Sequence, residues 1–262
     1  MTIAAATRCL PLVVLLAAGC RTVVDAPPTP PAPRAPAPSA SPAPSPRPEL
    51  PDSLHWFRNS AERRALSLQA YRLATERIEA AARSREAGAA WAVVLDVDET
   101  VLDNSGYEVE LLAHGATHTE ELWSQWVARQ SCPAIPGAAA FIARVRALGG
   151  RVALVSNRSE AECADTGRNL EAVGIAYDAI LCKPADTDDK GPRFARVSSG
   201  AAFADDGKPV DVVLWVGDNI KDFPGMSQAV RGAPEDAFAP FGYRFIVLPN
   251  PMYGSWESNP RE

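Results

Sequence analysis

The chain is 262 residues long, with 47% hydrophobic residues and a formal net charge of −6. That length accommodates one large domain or two small ones, and the apolar share suffices for a true core. An acidic balance with no basic run to displace phosphate counterions excludes a nucleic-acid partner.

Residues 1–19 read as an export signal, in which Arg8 supplies the cation, 9–18 the apolar stretch, and small residues lead to Gly19-Cys20. The stretch is too short to span a bilayer stably. Ala17-Ala18-Gly19-Cys20 resembles a bacterial lipoprotein cleavage box, although the leucine stands at Leu16 and not three residues before the cysteine. Cys20 is therefore expected to carry lipid and to become the N-terminus, with plain signal cleavage and an incidental Cys20 as the alternative. Several acyl chains would anchor the protein stably to a membrane, whereas one would not.

From residue 26 to 51 proline, alanine and serine dominate, a composition that favours extended polyproline II and buries nothing. Residues 20–51 are thus expected to be a linker, and 52–262 the folded body. Once the signal is removed and Cys20 lipidated, Cys132, Cys163 and Cys182 remain, enough for one disulfide and one thiol, with the pairing open. His114 and His118 would share a helical face, but no third ligand stands near them for a metal site.

A helix is predicted from Asn59 as N-cap, with Glu62 completing a capping box and Leu66, Leu73, Ala74, Ile78 and Ala81 forming its buried stripe. Five short apolar, β-branched segments come after it at 91–96, 151–156, 178–182, 211–216 and 244–248, as strands buried on both faces should read. Between them, one helix opens at Pro136 and stops at Gly149-Gly150; another is capped by Ser159 and Glu162 and ends near Gly174. The alternation predicts a doubly wound α/β domain, a parallel sheet with helices on both faces. Residues 104–135 break it and carry short-helix signals directly after the first strand. An insertion there would form a small helical cap over the carboxyl ends of the strands, where open α/β sheets bind ligands.

Asp96 and Asp98 follow the first strand in Asp-Val-Asp-Glu-Thr, and a period of two places both on one side. Two carboxylates so close do not ionise alike unless a cation intervenes, so one can attack while the other serves as acid. An EF-hand loop is excluded because Val101 occupies the position that needs glycine. Glycosyltransferases also hold nucleotide sugars through Asp-x-Asp pairs, so the other strand ends must decide. They carry Ser156-Asn157-Arg158 and Gly217-Asp218-Asn219-Ile220-Lys221-Asp222; Asp218 and Asp222 add hard oxygen ligands suited to Mg²⁺.

The ordered set Asp-Val-Asp-Glu-Thr, Val-Ser-Asn-Arg, a lysine and Gly-Asp-Asn-x-x-Asp resembles the four motifs of the haloacid dehalogenase (HAD) superfamily. It is most similar to the bacterial class C acid phosphatases, surface lipoproteins that act as nonspecific acid phosphatases and 5′-nucleotidases; supporting stretches lie at 56–71, 101–107, 123–137 and 248–257. The resemblance implies an aspartyl-phosphate on Asp96, with Asp98 as acid and then base. It implies Mg²⁺ on Asp96, the Asp98 carbonyl and Asp218, with Asp222 in support, and Ser156 on the transferring group, with Asn157 and Arg158 beside it binding substrate. It also implies a lysine opposite the metal, for which Lys190 fits the family's Asp-Lys pattern and Lys183 stays open. Trp123 and Tyr253 match positions that sandwich a nucleobase, whereas Trp91 and Trp215 are expected in the core.

The expected protein is a Mg²⁺-dependent acid phosphomonoesterase of the cell envelope, acting on small-molecule phosphomonoesters, with a membrane contact through its lipid and an acidic optimum. A phosphotransferase of the same fold and a surface binding lipoprotein without catalysis are the alternatives; retention of Asp96, Asp98 and Asp218 argues against the latter.

Overall fold

The structure is a computed structural model that describes residues 49–86, 88–204 and 207–261. The export signal, Cys20 and nearly all of the proline-rich linker lie outside the described residues. Among those described, no helix is long and apolar enough to cross a membrane.

Two helices precede the sheet, α1 (Asp52–Asn59) and α2 (Ala61–Arg83). The cap of α2 is Ser60, not Asn59: the Ser60 hydroxyl accepts the Arg63 N–H at 3.0 Å, while Asn59 closes α1. With two adjacent residues able to cap, the shorter preceding helix decides between them. The buried line of α2 also differs from expectation, running Arg63, Ser67, Tyr71, Ala74, Ile78, with Leu66 41% exposed. Polar members join it because they brace the loop that leaves the first strand: Tyr71 donates to the Thr100 carbonyl at 2.7 Å, and Arg63 pairs with Asp103 at 2.9 Å.

The strands β1 (Trp91–Leu95), β2 (Arg151–Ser159), β3 (Ala179–Lys183), β4 (Asp211–Gly217) and β5 (Phe245–Val247) form one parallel sheet in the order β3-β2-β1-β4-β5. All five predicted strands are present. β2 runs three residues past its predicted end because Ser159 still pairs with Lys183 of β3. Side chains alternate across the sheet. Val93, Leu95, Leu154, Leu214 and Val216 face one apolar cluster with Ile78 of α2 and Phe141 and Val145 of α5 (Ala138–Ala147). Val94, Ala153, Val155 and Val212 face the other, with Phe194 and Val197 of α7 (Gly191–Ser198). Trp91 and Trp215 are both core residues.

The inserted segment holds α3 (Ser105–His114) and α4 (Glu120–Val127). Its two stems are joined at the root, where Asp103 N–H donates to the Pro133 carbonyl and Ile135 N–H to the Val101 carbonyl, each at 2.9 Å. After β2, Ser159 and Glu162 form the predicted capping box ahead of α6 (Cys163–Ala172).

Cys163 at the start of α6 is bonded to Cys182 at the end of β3, leaving Cys132 as a buried thiol. The bridge closes a loop with a sequence separation of 19, which in the chain-entropy account is worth about 3 kcal/mol. Reduction, or Cys163→Ser with Cys182→Ser, should therefore lower the unfolding free energy by about that amount in a denaturant titration. An unchanged midpoint would show that the bridge contributes nothing.

Candidate active site

In the strand order the chain leaves β1 toward β2 and β3, then returns to the other side of β1 as β4, so the carboxyl ends of β1 and β4 flank the switch point of the sheet. Asp96 follows β1 and Asp218 follows β4, their strands locked in register by Leu95 beside Val216 and by Asp96 N–H donating to the Val216 carbonyl at 2.9 Å. A short turn brings Asp222 back against Gly217. A Cβ at Gly217 would collide with the Asp222 side chain, so only glycine admits this arrangement.

Carboxylate oxygens of Asp96, Asp218 and Asp222 thereby lie within 4.8 Å of one another. Lys190, the residue just before α7 and only 6% exposed, places Nζ on Asp96 and, at 2.6 Å, on Asp222. Asp222 also accepts the Asn219 N–H at 2.8 Å, and Asp218 accepts Thr100 Oγ1 at 3.0 Å and Asn250 Nδ2 at 2.9 Å. These bonds aim the carboxylates before any ligand arrives.

Burial pushes the Asp96 carboxyl well above the usual range; Lys190 pulls it back, while Asp222, Asp218 and Asp98 push it further up. Asp218 is pushed up to about 7, first by burial and then by Asp222. For Lys190, burial works against the ammonium, but Asp222 and Asp96 outweigh it and hold it above its ordinary value. Three carboxylates against one ammonium leave the cluster two negative charges in excess when all are ionised. Hard oxygens, close spacing and this charge fit a divalent cation.

Asp98 is half-buried beside this cluster, not in it. Its Oδ1 accepts from Asn104 Nδ2 and Arg158 Nε, both at 2.9 Å, and Ser156 Oγ donates to its Oδ2 at 3.4 Å. Arg158 borders the cleft but is only 1% exposed, with its guanidinium on Asp98, Asn104 and Thr166. Strand alternation explains this, since Arg158 stands two residues beyond Ser156 and projects to the same buried side, leaving Asn157 outward. Asn157 borders the cleft and is held through Oδ1 by Arg193 at 2.6 Å.

The cluster lies in a cleft of about 880 Å³, bordered across from the strand ends by Tyr107, His118 and Trp123 of the insertion and by Tyr253. Trp123 packs edge-on against Tyr107 at 5.1 Å, and the Arg158 guanidinium lies 5.4 Å from the Trp123 ring centre. Lys183 borders the cleft too, whereas His114 bonds its own helix through Glu110.

Four contributors escaped the sequence reading: Thr100, Asn104, Arg193 and Asn250. Thr100 and Asn104 flank the Asp-Val-Asp motif, and a polar residue buried after a strand end is a usable signal. Arg193 and Asn250 meet partners 36 and 32 residues away, and no spacing rule reaches them.

A parallel sheet with acidic strand ends at its switch point, a buried lysine and an inserted segment beside the cleft is an arrangement suited to phosphoryl transfer. Residues 45–256 match the family described as HAD superfamily, subfamily IIIB (Acid phosphatase), and the chain belongs to that family of phosphomonoesterases. It is similar to the class C acid phosphatase of Bacillus anthracis, solved alone and with tungstate bound. Identity is 32% in both cases, over 78% of this chain and 85% of that one, with TM-scores of 0.70 and 0.69. It is also 26% identical over 161 residues to acid phosphatase 1 of Solanum lycopersicum; the match takes in 61% of this chain and spans 57% of that relative's length.

The raised carboxyls fix how cation-free stability varies with pH. Asp218 and Asp96 bind protons more tightly folded than unfolded, so stability is greatest near pH 4 and falls as pH rises toward 7, by up to about 1.4 kcal/mol per unit for each group. Lys190, also raised in the folded state, works in the same sense, but only at far higher pH. Thermal unfolding in EDTA should show this decline, and added divalent cation should restore more stability at pH 7 than at pH 5. Cation stabilisation that is equal at both values would contradict the site.

Proposed function

We propose that the chain is an exported acid phosphomonoesterase that uses Mg²⁺ to release phosphate from small organic monophosphates, foremost nucleoside 5′-monophosphates, through an aspartyl-phosphate on Asp96. The observation that carries the reading is the meeting of the Asp96, Asp218 and Asp222 carboxylates within 4.8 Å around the Lys190 ammonium, in an open cleft.

In this reading an Asp96 oxygen attacks phosphorus in line while Asp98 gives its proton to the departing oxygen. Water then attacks the aspartyl-phosphate, Asp98 takes the water's proton, and inorganic phosphate leaves with Asp96 restored. Bound magnesium, held by Asp96 and Asp218 with Asp222 in support, would neutralise charge on the phosphoryl oxygens. Lys190 neutralises the opposite side, and the Ser156 hydroxyl offers a further donor to the transferring group. The tungstate bound by the Bacillus anthracis relative is an oxyanion, as phosphate is, which supports oxyanion binding by this chain. Trp123 and Tyr253, both half-buried on the cleft wall, offer ring faces for a base, and such stacking accepts any base. The pattern of residues 1–20 supports export and lipid anchoring through Cys20, in the outer membrane or on its periplasmic face.

A panel of nucleoside monophosphates and sugar phosphates, assayed with Mg²⁺ and with EDTA, tests this directly. Asp96→Asn should lose on the order of 10⁴-fold or more in kcat, and EDTA should abolish turnover reversibly. Full activity in either case would refute the proposal. Lys190→Met should lose about 10²- to 10³-fold while Lys183→Met stays within about threefold; the reverse order would move the phosphate-binding role to Lys183.

A further inference from the structure

Asn104, only 1% exposed at the root of the insertion, has every polar side-chain atom engaged. Its Oδ1 accepts from Trp126 Nε1 and Arg158 Nη2, both at 3.0 Å, and from the Cys132 thiol at 3.1 Å; its main-chain N–H donates to Glu99 at 2.7 Å. Three donors converging on one atom identify it as the amide oxygen and leave the amino end a single direction, toward Asp98 Oδ1 at 2.9 Å. Arg158 Nε meets that same oxygen at 2.9 Å. With two N–H donors on Oδ1, a proton on Asp98 must reside on Oδ2, the oxygen beside Ser156.

The same amide reaches into the cap. Trp126 lies on α4 and seats against the start of α3, where a Cβ at Gly106 would stand 2.7 Å from the indole Cη2. One hydrogen-bonded chain therefore runs from a cap helix through the indole N–H and the Asn104 amide to Asp98.

We propose that Asn104 is the positioning residue for leaving-group protonation, holding Asp98 with Oδ2 as the proton-bearing oxygen and tying that orientation to a seated α4. The inference rests on the reading of Asp98 as general acid. In the step concerned, the bond from an Asp96 oxygen to phosphorus forms, the bond from phosphorus to the leaving oxygen breaks, and the Oδ2 proton passes to that oxygen. Asp98 is left as a carboxylate that the Asn104 and Arg158 donors stabilise.

A positioning role of this kind shows itself in leaving-group dependence, which a general structural role would not produce. The holoenzyme with Mg²⁺ is assayed for kcat/KM, which reports steps through departure of the first leaving group, on a nucleoside 5′-monophosphate and on p-nitrophenyl phosphate. The alkoxide of the first needs a proton; nitrophenolate departs without one. Asn104→Asp keeps the size and the acceptor but turns the donor to Asp98 into an acceptor. It should cost about 30-fold or more on the nucleotide and less than about threefold on the aryl ester. Trp126→Phe, which removes one of the three donors, should show the same bias at smaller size and serves if Asn104→Asp does not fold. Asp98→Ala should show the bias more strongly still. Equal losses on both substrates, or none, in the folded Asn104 and Trp126 variants while Asp98→Ala discriminates would overturn the role of Asn104. An Asp98→Ala that does not discriminate would overturn the general-acid reading, and this inference with it.

Discussion

The contact between Lys190 and the buried pair Asp96 and Asp222 is the constraint to which the rest of the structure is fitted. Carboxylates removed from water this near to one another raise each other's proton affinity, and an uncompensated buried charge costs several kcal/mol. The ammonium offsets part of that cost yet leaves the cluster negative, which is the condition a divalent cation requires. Lys190 reaches the site from the end of the loop between β3 and α7. Arg193, one turn later in α7, secures it by donating to the Asp188 and Asp189 carbonyls on one side and to the Ser156 carbonyl and Asn157 on the other. All four acceptors are neutral, and the guanidinium charge acts on Asp96 first and on the nearby Asp189 and Asp188 carboxylates after it.

Given that constraint, the sheet order is a requirement. Only strands adjacent at the switch point can bring Asp96 and Asp218 together while α7 supplies Lys190 from one face. The helices are distributed accordingly. Among the described residues, α2, α5 and Leu170 of α6 cover one face, whereas the other carries α7, packed on β1, β2 and β4, together with Phe203, Phe223 and Phe241. The helix nearest the chemistry is thus set by three strands at once.

What the sequence discloses, and what it withholds, divides along a physical line. Strands buried on both faces announce themselves as apolar runs, and the polar residue that ends such a run, Asp96, Ser156 or Asp218, marks the ligand-binding edge. Local caps are legible when one candidate stands alone, as Ser159 with Glu162, and ambiguous when two adjoin, as Asn59 and Ser60. Orientation is harder. Ser156-Asn157-Arg158 reads as one uniform triplet, although the pleat exposes Asn157 and buries Ser156 and Arg158, the latter meeting Asp98 at the edge of the cleft. Contacts between distant residues are not legible: nothing local in Asn250 points to Asp218, nor in Trp126 to Asn104.

The inserted segment shows how catalysis and selectivity can be built on one chain without interfering. Its root is fixed from several directions, by Arg58 on Ser105, Arg63 on Asp103, Ser124 on Glu162 and the paired stems at 103–133 and 101–135. Its aromatic face, Tyr107 with His118 and Trp123, borders the cleft but contributes no carboxylate to the charged cluster. Under the proposed function, substitution on that face would change which molecule is accepted and leave the Asp96, Asp218 and Asp222 carboxylates untouched. Substitution at the root is different, because the Asn104 amide joins it to Asp98, and any shift of α4 reaches that carboxylate through a chain of two hydrogen bonds.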